Sequence, residues 1–183
     1  NTAASGSRVA KGLRSSGYWV DSTKSPLHFT VENCQFIDIS PTDDADGVHG
    51  SNLNDSRSTF TVSNCYFKNC HKRGVKSQVV GRTVVDSCVF ECTDVVGVNG
   101  IDFQHSGGSI TNNKWLVNDS AYYYVKCVKI DSYNTNERKS LFVQNNSIAG
   151  TATSTGGVFL GLEVENGENK IGAVVCDGFS TNL

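Results

Sequence analysis

Asp46, His49, Arg73, Lys76 and Asp102 are the residues of this chain whose types and spacing could do chemistry. They flank a small step that recurs along the sequence: Asp46-Gly47-Val48-His49, Arg73-Gly74-Val75-Lys76, Asn99-Gly100-Ile101-Asp102 and Lys126-Cys127-Val128-Lys129. If these steps lie side by side, two columns form: Asp46, Arg73, Asn99, Lys126 and His49, Lys76, Asp102, Lys129. Carboxyl, imidazole and cation then sit within a few side-chain lengths. Glycoside hydrolysis uses two carboxyl groups, about 5–5.5 Å apart for retention and roughly 6.5–9.5 Å for inversion. Strands spaced by about 4.8 Å put Asp46 and Asp102, two steps apart, at about 10 Å. That favours inversion, with Asp43 or Asp44 as substitute carboxyls. A lyase instead needs a base for the proton alpha to a uronate carboxylate and a cation for the charge that develops. His49 with Lys76 or Arg73 meets that need.

Around these five, Asp43, Asp44, Asn99, Lys126 and Lys129 are candidate substrate-binding residues, together with Tyr122, Tyr123 and Tyr124. The tyrosines are the one aromatic run outside the repeated columns, and sugar rings dock on aromatic faces. Each feature also has a plain reading. The Asp43–Asp46 stretch lies between Pro41 and Gly47, and Asp favours turns by bonding local backbone. Arg73 and Lys76 would serve as surface cations or as salt-bridge partners of Asp46 and Asp102. The spacing of a calcium loop is absent. No cofactor or metal is expected.

The elements that must position these residues are written in a repeat. Thr30-Val31-Glu32-Asn33-Cys34-Gln35-Phe36 returns as Thr61-Val62-Ser63-Asn64-Cys65-Tyr66-Phe67 and as Val84-Val85-Asp86-Ser87-Cys88-Val89-Phe90. Looser copies run over 109–115 and 142–148. Short β-branched segments returning at coil length predict a solenoid of β-strands, all-β, with about five to six coils over 28–183. Residues 1–27 fall outside the repeat and form a cap, either a short helix or irregular. Gly17 to Asp21 resembles a strand. After 166 one weak strand, Ile171 to Cys176, is expected before the coils stop. An antiparallel sandwich is the rival; it predicts hairpin turns of two to five residues rather than one motif returning. The columns Asn33, Asn64, Ser87, Asn112, Asn145 and Phe36, Phe67, Phe90, Trp115 are expected to be buried and stacked; a second Asn pair, Asn113 and Asn146, replaces Cys in the last two copies, and identical amides one rung apart can hydrogen-bond to each other.

The chain has 183 residues, 19% of them charged, and a formal net charge of -2. It shows no basic stripe for nucleic acid and no apolar run of membrane-spanning length. The seven cysteines include no Cys-x-x-Cys, and Cys34, Cys65 and Cys88 share one column. Reduced thiols packed inside the coil are expected, which suits folding in a reducing cytosol. With no Met and Asn1 first, the chain is expected to be part of a longer protein.

The repeat resembles that of right-handed parallel β-helices of the pectate-lyase superfamily, over about 28–166. Variable loops and high Asn, Ser, Thr and Gly content look most like the central body of a bacteriophage tailspike. The resemblance implies a homotrimer of the virion, folded in the host cytoplasm, that binds and often cleaves bacterial surface polysaccharide. An extracellular location is the alternative. The alternative functions are a non-catalytic trimeric receptor-binding or structural stalk, or an adhesin passenger domain, which fits seven unpaired cysteines poorly. The segments Thr42 to Gly47, Val48-His49-Gly50 and Arg73 to Lys76 are similar to those of polygalacturonase-like hydrolases. Their order and spacing depart from that family, so its mechanism is not carried over.

Overall fold

The computed structural model describes residues 11–16, 26–39, 45–53, 55–93, 97–104, 107–117, 124–131, 139–150, 160–165 and 171–182. These residues form β1 (Lys11–Ser16), then triplets of strands. The triplets are β2 (His28–Glu32), β3 (Gln35–Ile37), β4 (Asp46–Leu53); β5 (Thr59–Ser63), β6 (Tyr66–Lys68), β7 (Arg73–Val79); β8 (Arg82–Asp86), β9 (Val89–Cys92), β10 (Gly97–Phe103); β11 (Gly107–Thr111), β12 (Lys114–Val117), β13 (Tyr124–Asp131); and β14 (Lys139–Gln144), β15 (Asn146–Gly150), β16 (Leu160–Glu165). Two more follow, β17 (Ile171–Cys176) and β18 (Phe179–Asn182). Every third strand pairs in parallel, which gives three six-stranded sheets: β1-β4-β7-β10-β13-β16, β2-β5-β8-β11-β14-β17 and β3-β6-β9-β12-β15-β18. The chain is an all-β parallel solenoid, with no helix among the described residues.

The sequence repeat spans the corner between the second and third sheets. Asn33, Asn64, Ser87, Asn112 and Asn145 occupy that corner with φ of 52–58°. A one-residue turn needs the left-handed region there, and Asn tolerates it better than most residues. This corrects the expectation of a buried Asn stack: Asn33, Asn64, Asn112 and Asn145 are exposed. Along this column the rung-to-rung bonds run through the backbone, as in Asn64 N–H to the Asp86 carbonyl at 3.1 Å. The second expected pair, one residue later, does bond through its amides. Asn113 Nδ2 donates to Asn146 Oδ1 at 3.1 Å, and Asn146 Oδ1 also accepts the Asn113 N–H at 3.0 Å.

Cys34, Cys65 and Cys88 are free thiols in that same inner column. Each donates to the carbonyl two residues back, at 3.2, 3.2 and 3.3 Å. Asn113 and Asn146 reach carbonyls of the preceding rung, as the Cys65 and Cys88 thiols also do at 3.6 and 3.7 Å. Small polar groups that can bond these backbone carbonyls are thus interchangeable in this column. The aromatic column stacks as expected, with ring centroids 5.1, 5.0 and 5.0 Å apart from Phe36 through Phe67 and Phe90 to Trp115. Phe29 and Phe60 add a second stack at 5.4 Å.

Two elements depart from expectation. Lys11–Ser16 is a strand of the first sheet rather than a helix or irregular cap, with Leu13 opposite Val48 and Arg14 opposite His49. Its signal was present: Gly12-Leu13-Arg14 copies Gly47-Val48-His49, and a Cβ on Gly12 would stand 2.7 Å from the Phe36 ring. Gly17 to Asp21 lies outside the described residues. At the other end β18 extends the third sheet beyond the expected stop, and Phe179 meets Trp115 edge-on at 5.7 Å.

On the outer face of the third sheet, Tyr66 donates its hydroxyl to the Glu91 carboxylate, with Lys68 Nζ 3.9 Å from the same group. Burial and then the bond to Glu91 push the Tyr66 phenol up to about 12 from an ordinary 10. A raised folded-state value favours the native state below about pH 10, and that contribution disappears as pH climbs towards about 12. In an alkaline absorbance titration Tyr66 should therefore ionise in a late phase near pH 12, above an ordinary tyrosine. Tyr66→Phe should delete that late phase and flatten the alkaline loss of stability. Loss of an earlier phase instead would contradict the assignment.

Candidate active site

The parallel register of the first sheet aligns the recurring steps. Asp46 pairs with Arg73 and Arg73 with Asn99; His49 pairs with Lys76 and Lys76 with Asp102. Asn99 and Asp102 then pair with Lys126 and Lys129 on β13. All eight expected column residues stand where the sequence spacing puts them.

Strict alternation would send Asp46 and His49, three residues apart, to opposite faces. The Gly-Val step removes that conflict. A Cβ on Gly47 would meet the Phe67 ring at 2.8 Å, so this position faces the core. Val48 is also fully buried within the core cluster. Two consecutive core-facing residues bring Asp46 and His49 back to one face. Gly74-Val75 and Gly100-Ile101 repeat the device, with a Cβ on Gly74 2.6 Å from Phe90. Glycine is required because the aromatic column leaves no room for a side chain beside the branched residue.

The side chains then meet. Arg73 Nη1 donates to Asp46 Oδ1 at 2.7 Å and Arg73 Nε to Asp102 Oδ2 at 2.8 Å. His49 Nδ1 lies 3.5 Å from Asp46 Oδ2. One guanidinium therefore holds both carboxylates, in the charge-assisted geometry that suits arginine better than lysine. Because both lean towards Arg73, strand spacing alone does not set their separation. The cluster is buried: Asp46 is 0%, Asp102 2%, His49 3%, Arg73 6% and Lys76 8% exposed. Long cationic side chains lying across the sheet cover their neighbours as well as neutralising them.

The outer candidates gather less closely. Lys126 forms an ion pair with Glu163 of β16, and Lys129 is half-buried opposite that same Glu163 in register. Tyr124 is the first residue of β13, opposite Gly97. Asp43, Asp44, Tyr122 and Tyr123 lie outside the described residues. Three polar residues that the sequence reading passed over also join the site. Gln78 and Gln104, two positions past Lys76 and Asp102, bond to His49 and Asp102. Arg14 stands opposite His49 and donates to Ser51 Oγ at 3.1 Å. Projecting the columns two residues further along β7 and β10 would have found both glutamines.

What the arrangement offers is acid–base and electrostatic chemistry: two carboxylates, an imidazole and two cations in a buried setting, where charges act strongly on one another. Among the described residues no group of three or more His, Cys, Asp or Glu side chains could hold a metal ion. Compared with family models, curated proteins and solved structures, the chain matches none.

Proposed function

We propose that this chain is a polysaccharide-processing β-helix, similar in kind to pectate-lyase-superfamily proteins and to the central body of a phage tailspike. It binds bacterial surface polysaccharide along the first sheet and cleaves it as a hydrolase or lyase. The observation that carries this reading is the convergence of Asp46, His49, Arg73, Lys76 and Asp102 on three adjacent strands. A solenoid needs only its apolar columns to stack. Gathering ionised groups in a buried patch adds little stability compared with apolar packing of the same volume. Such clusters mark functional sites more often than the rest of a surface does.

In hydrolysis one carboxyl group protonates the glycosidic oxygen as the C–O bond breaks, and the other takes a proton from the attacking water. In elimination His49 takes the proton alpha to a uronate carboxylate while Arg73 or Lys76 stabilises the charge; a C=C bond then forms as the glycosidic C–O bond beta to that carboxylate breaks, and the leaving oxygen takes up a proton. The test is incubation of the full-length protein with capsular and O-antigen polysaccharides. New reducing ends report hydrolysis, and absorbance of an unsaturated uronate reports elimination. Asp46→Asn and Asp102→Asn should each lower the rate by roughly 10²–10⁴-fold. Release unchanged in both variants would place the chemistry elsewhere.

A non-catalytic trimeric receptor-binding stalk is the second reading. The shared Arg73 favours it, because a charge-balanced cluster can also serve as a rigid surface. On that reading polysaccharide binds without cleavage, and binding survives both substitutions.

A further inference from the structure

Gln78 and Gln104 join the two ends of the charged cluster into a closed ring. His49 Nε2 lies 2.8 Å from Gln78 Oε1, Gln78 Nε2 lies 2.6 Å from Gln104 Oε1, and Gln104 Nε2 lies 3.3 Å from Asp102 Oδ2. Arg73 bridges Asp102 to Asp46, and Asp46 faces His49. In register, Lys76 stands between His49 and Asp102, inside the ring.

The ring has a direction. A carboxylate only accepts hydrogen bonds, and Asp102 Oδ2 already accepts from Arg73. Gln104 must therefore turn its NH₂ to Asp102 and its Oε1 to Gln78. Gln78 must donate there, which turns its own Oε1 to His49. An oxygen at that place requires a hydrogen on His49 Nε2. Reversing either amide would set two oxygens, or two NH₂ groups, face to face, with the unpaired-group penalty that burial imposes. The amide orientations thus follow from the chemistry of Asp102.

With Nε2 holding its hydrogen, neutral His49 has its lone pair on Nδ1, which faces Asp46 Oδ2 at 3.5 Å. A lone pair against a carboxylate oxygen is repulsive, and a proton between them turns the contact into an attraction. Among the described residues, the charged groups facing His49 are Asp46 on its own strand, Lys76 on β7 and Arg14 on β1. Asp46 favours the added proton and the two cations oppose it.

We infer that Gln78 and Gln104 are positioning residues: they carry the acceptor-only character of Asp102 across to His49, hold the neutral imidazole with its hydrogen on Nε2, and leave Nδ1, against Asp46, as the atom that takes up and releases a proton. This deepens the proposed function and rests on it for its catalytic meaning. In the elimination route Nδ1 of His49 is the proton-handling atom, and substitutions at Gln78 and Gln104 change its protonation chemistry while leaving the reacting residues in place.

The test is a long-range proton–nitrogen correlation spectrum of the ¹⁵N-labelled full chain, taken above the His49 titration. His49 is identified among the four histidines by His49→Gln. Wild type should show the Nε2–H form. Gln104→Leu frees the Gln78 amide to turn over, so a large share of His49 should move to the Nδ1–H form, donating to Asp46. Gln104→Glu still offers Gln78 only an acceptor, so it should keep the Nε2–H form although it perturbs Asp102. A purely structural role would not separate these two variants. If Gln104→Leu fails to fold, Gln78→Leu removes the acceptor directly and should give the same shift. An Nδ1–H wild type overturns the inference, as does an unchanged tautomer in whichever leucine variant is read. Polysaccharide cleavage is scored separately. An Nε2–H His49 in a protein that cleaves nothing overturns the proposed function alone, and cleavage by an Nδ1–H protein overturns the inference alone.

Discussion

Replacing Arg73 by methionine should cost about 3–5 kcal/mol of stability. Methionine keeps much of the volume but removes the guanidinium that holds Asp46 Oδ1 and Asp102 Oδ2. Two almost fully buried carboxylates then face each other across β7 without it. The loss belongs to breaking the cluster, not to the net worth of the ion pairs, since replacing a whole buried ionic group by apolar side chains is often neutral. Asp46→Asn and Asp102→Asn combined with Arg73→Met should therefore recover part of what Arg73→Met loses. Arg73→Lys should fall between, because one ammonium cannot match a fork that reaches two carboxylates through Nη1 and Nε. Thermal unfolding checks this, with a drop on the order of 10 °C expected for Arg73→Met in a chain of this size. A midpoint within about 1 °C of wild type would show that the carboxylates do not depend on Arg73.

The second large effect is expected at Gly74, next to Arg73. An added Cβ would stand 2.6 and 2.7 Å from two atoms of the Phe90 ring and 3.0 Å from the Gly100 carbonyl oxygen. Real Cβ atoms do not come so close to a ring, so Phe90 or β7 must move. Phe90 is fully buried and stacked on both Phe67 and Trp115 at 5.0 Å, which leaves it no way out. Gly74→Ala should cost about 1–3 kcal/mol or more, as overpacking does in dense cores. Shrinking the ring makes room, so Gly74→Ala with Phe90→Leu should be more stable than the sum of the single losses predicts. Urea unfolding of the four proteins measures the coupling, and strict additivity would mean that the two positions do not meet. If the proposed function holds, Gly74→Ala should also reduce activity more than its stability loss explains, because Arg73 moves with the strand.

The fold was legible because parallel stacking turns sequence spacing into spatial neighbourhood. A residue at one place in a coil sits beside its counterpart in the next, so a motif repeated along the chain states the register directly. Phe36, Phe67, Phe90 and Trp115 stack for that reason, and Asp46, Arg73 and Asn99 align for the same one. The Asn column was legible as a column but not as a turn. Recurrence of a residue type shows that a position is constrained, and both a buried amide ladder and a left-handed corner constrain it to Asn. Only the φ of 52–58° separates the two. Lys11–Ser16 escaped because its likeness to later coils rests on Gly12-Leu13-Arg14 alone, too short to stand out without the structure.

By itself, then, the sequence determined the solenoid, the shared thiol and aromatic columns, and the order of charged residues along the first sheet, since all of these follow from periodicity. The tertiary structure decided what those charged residues do to one another. Two core-facing residues in each Gly-Val step return Asp46 and His49 to one face, and Arg73 draws two carboxylates together. Gln78 and Gln104 close the ring behind them. Those outcomes depend on side-chain direction and reach across strands, between residues 26–29 apart in sequence, a relation that no local pattern encodes.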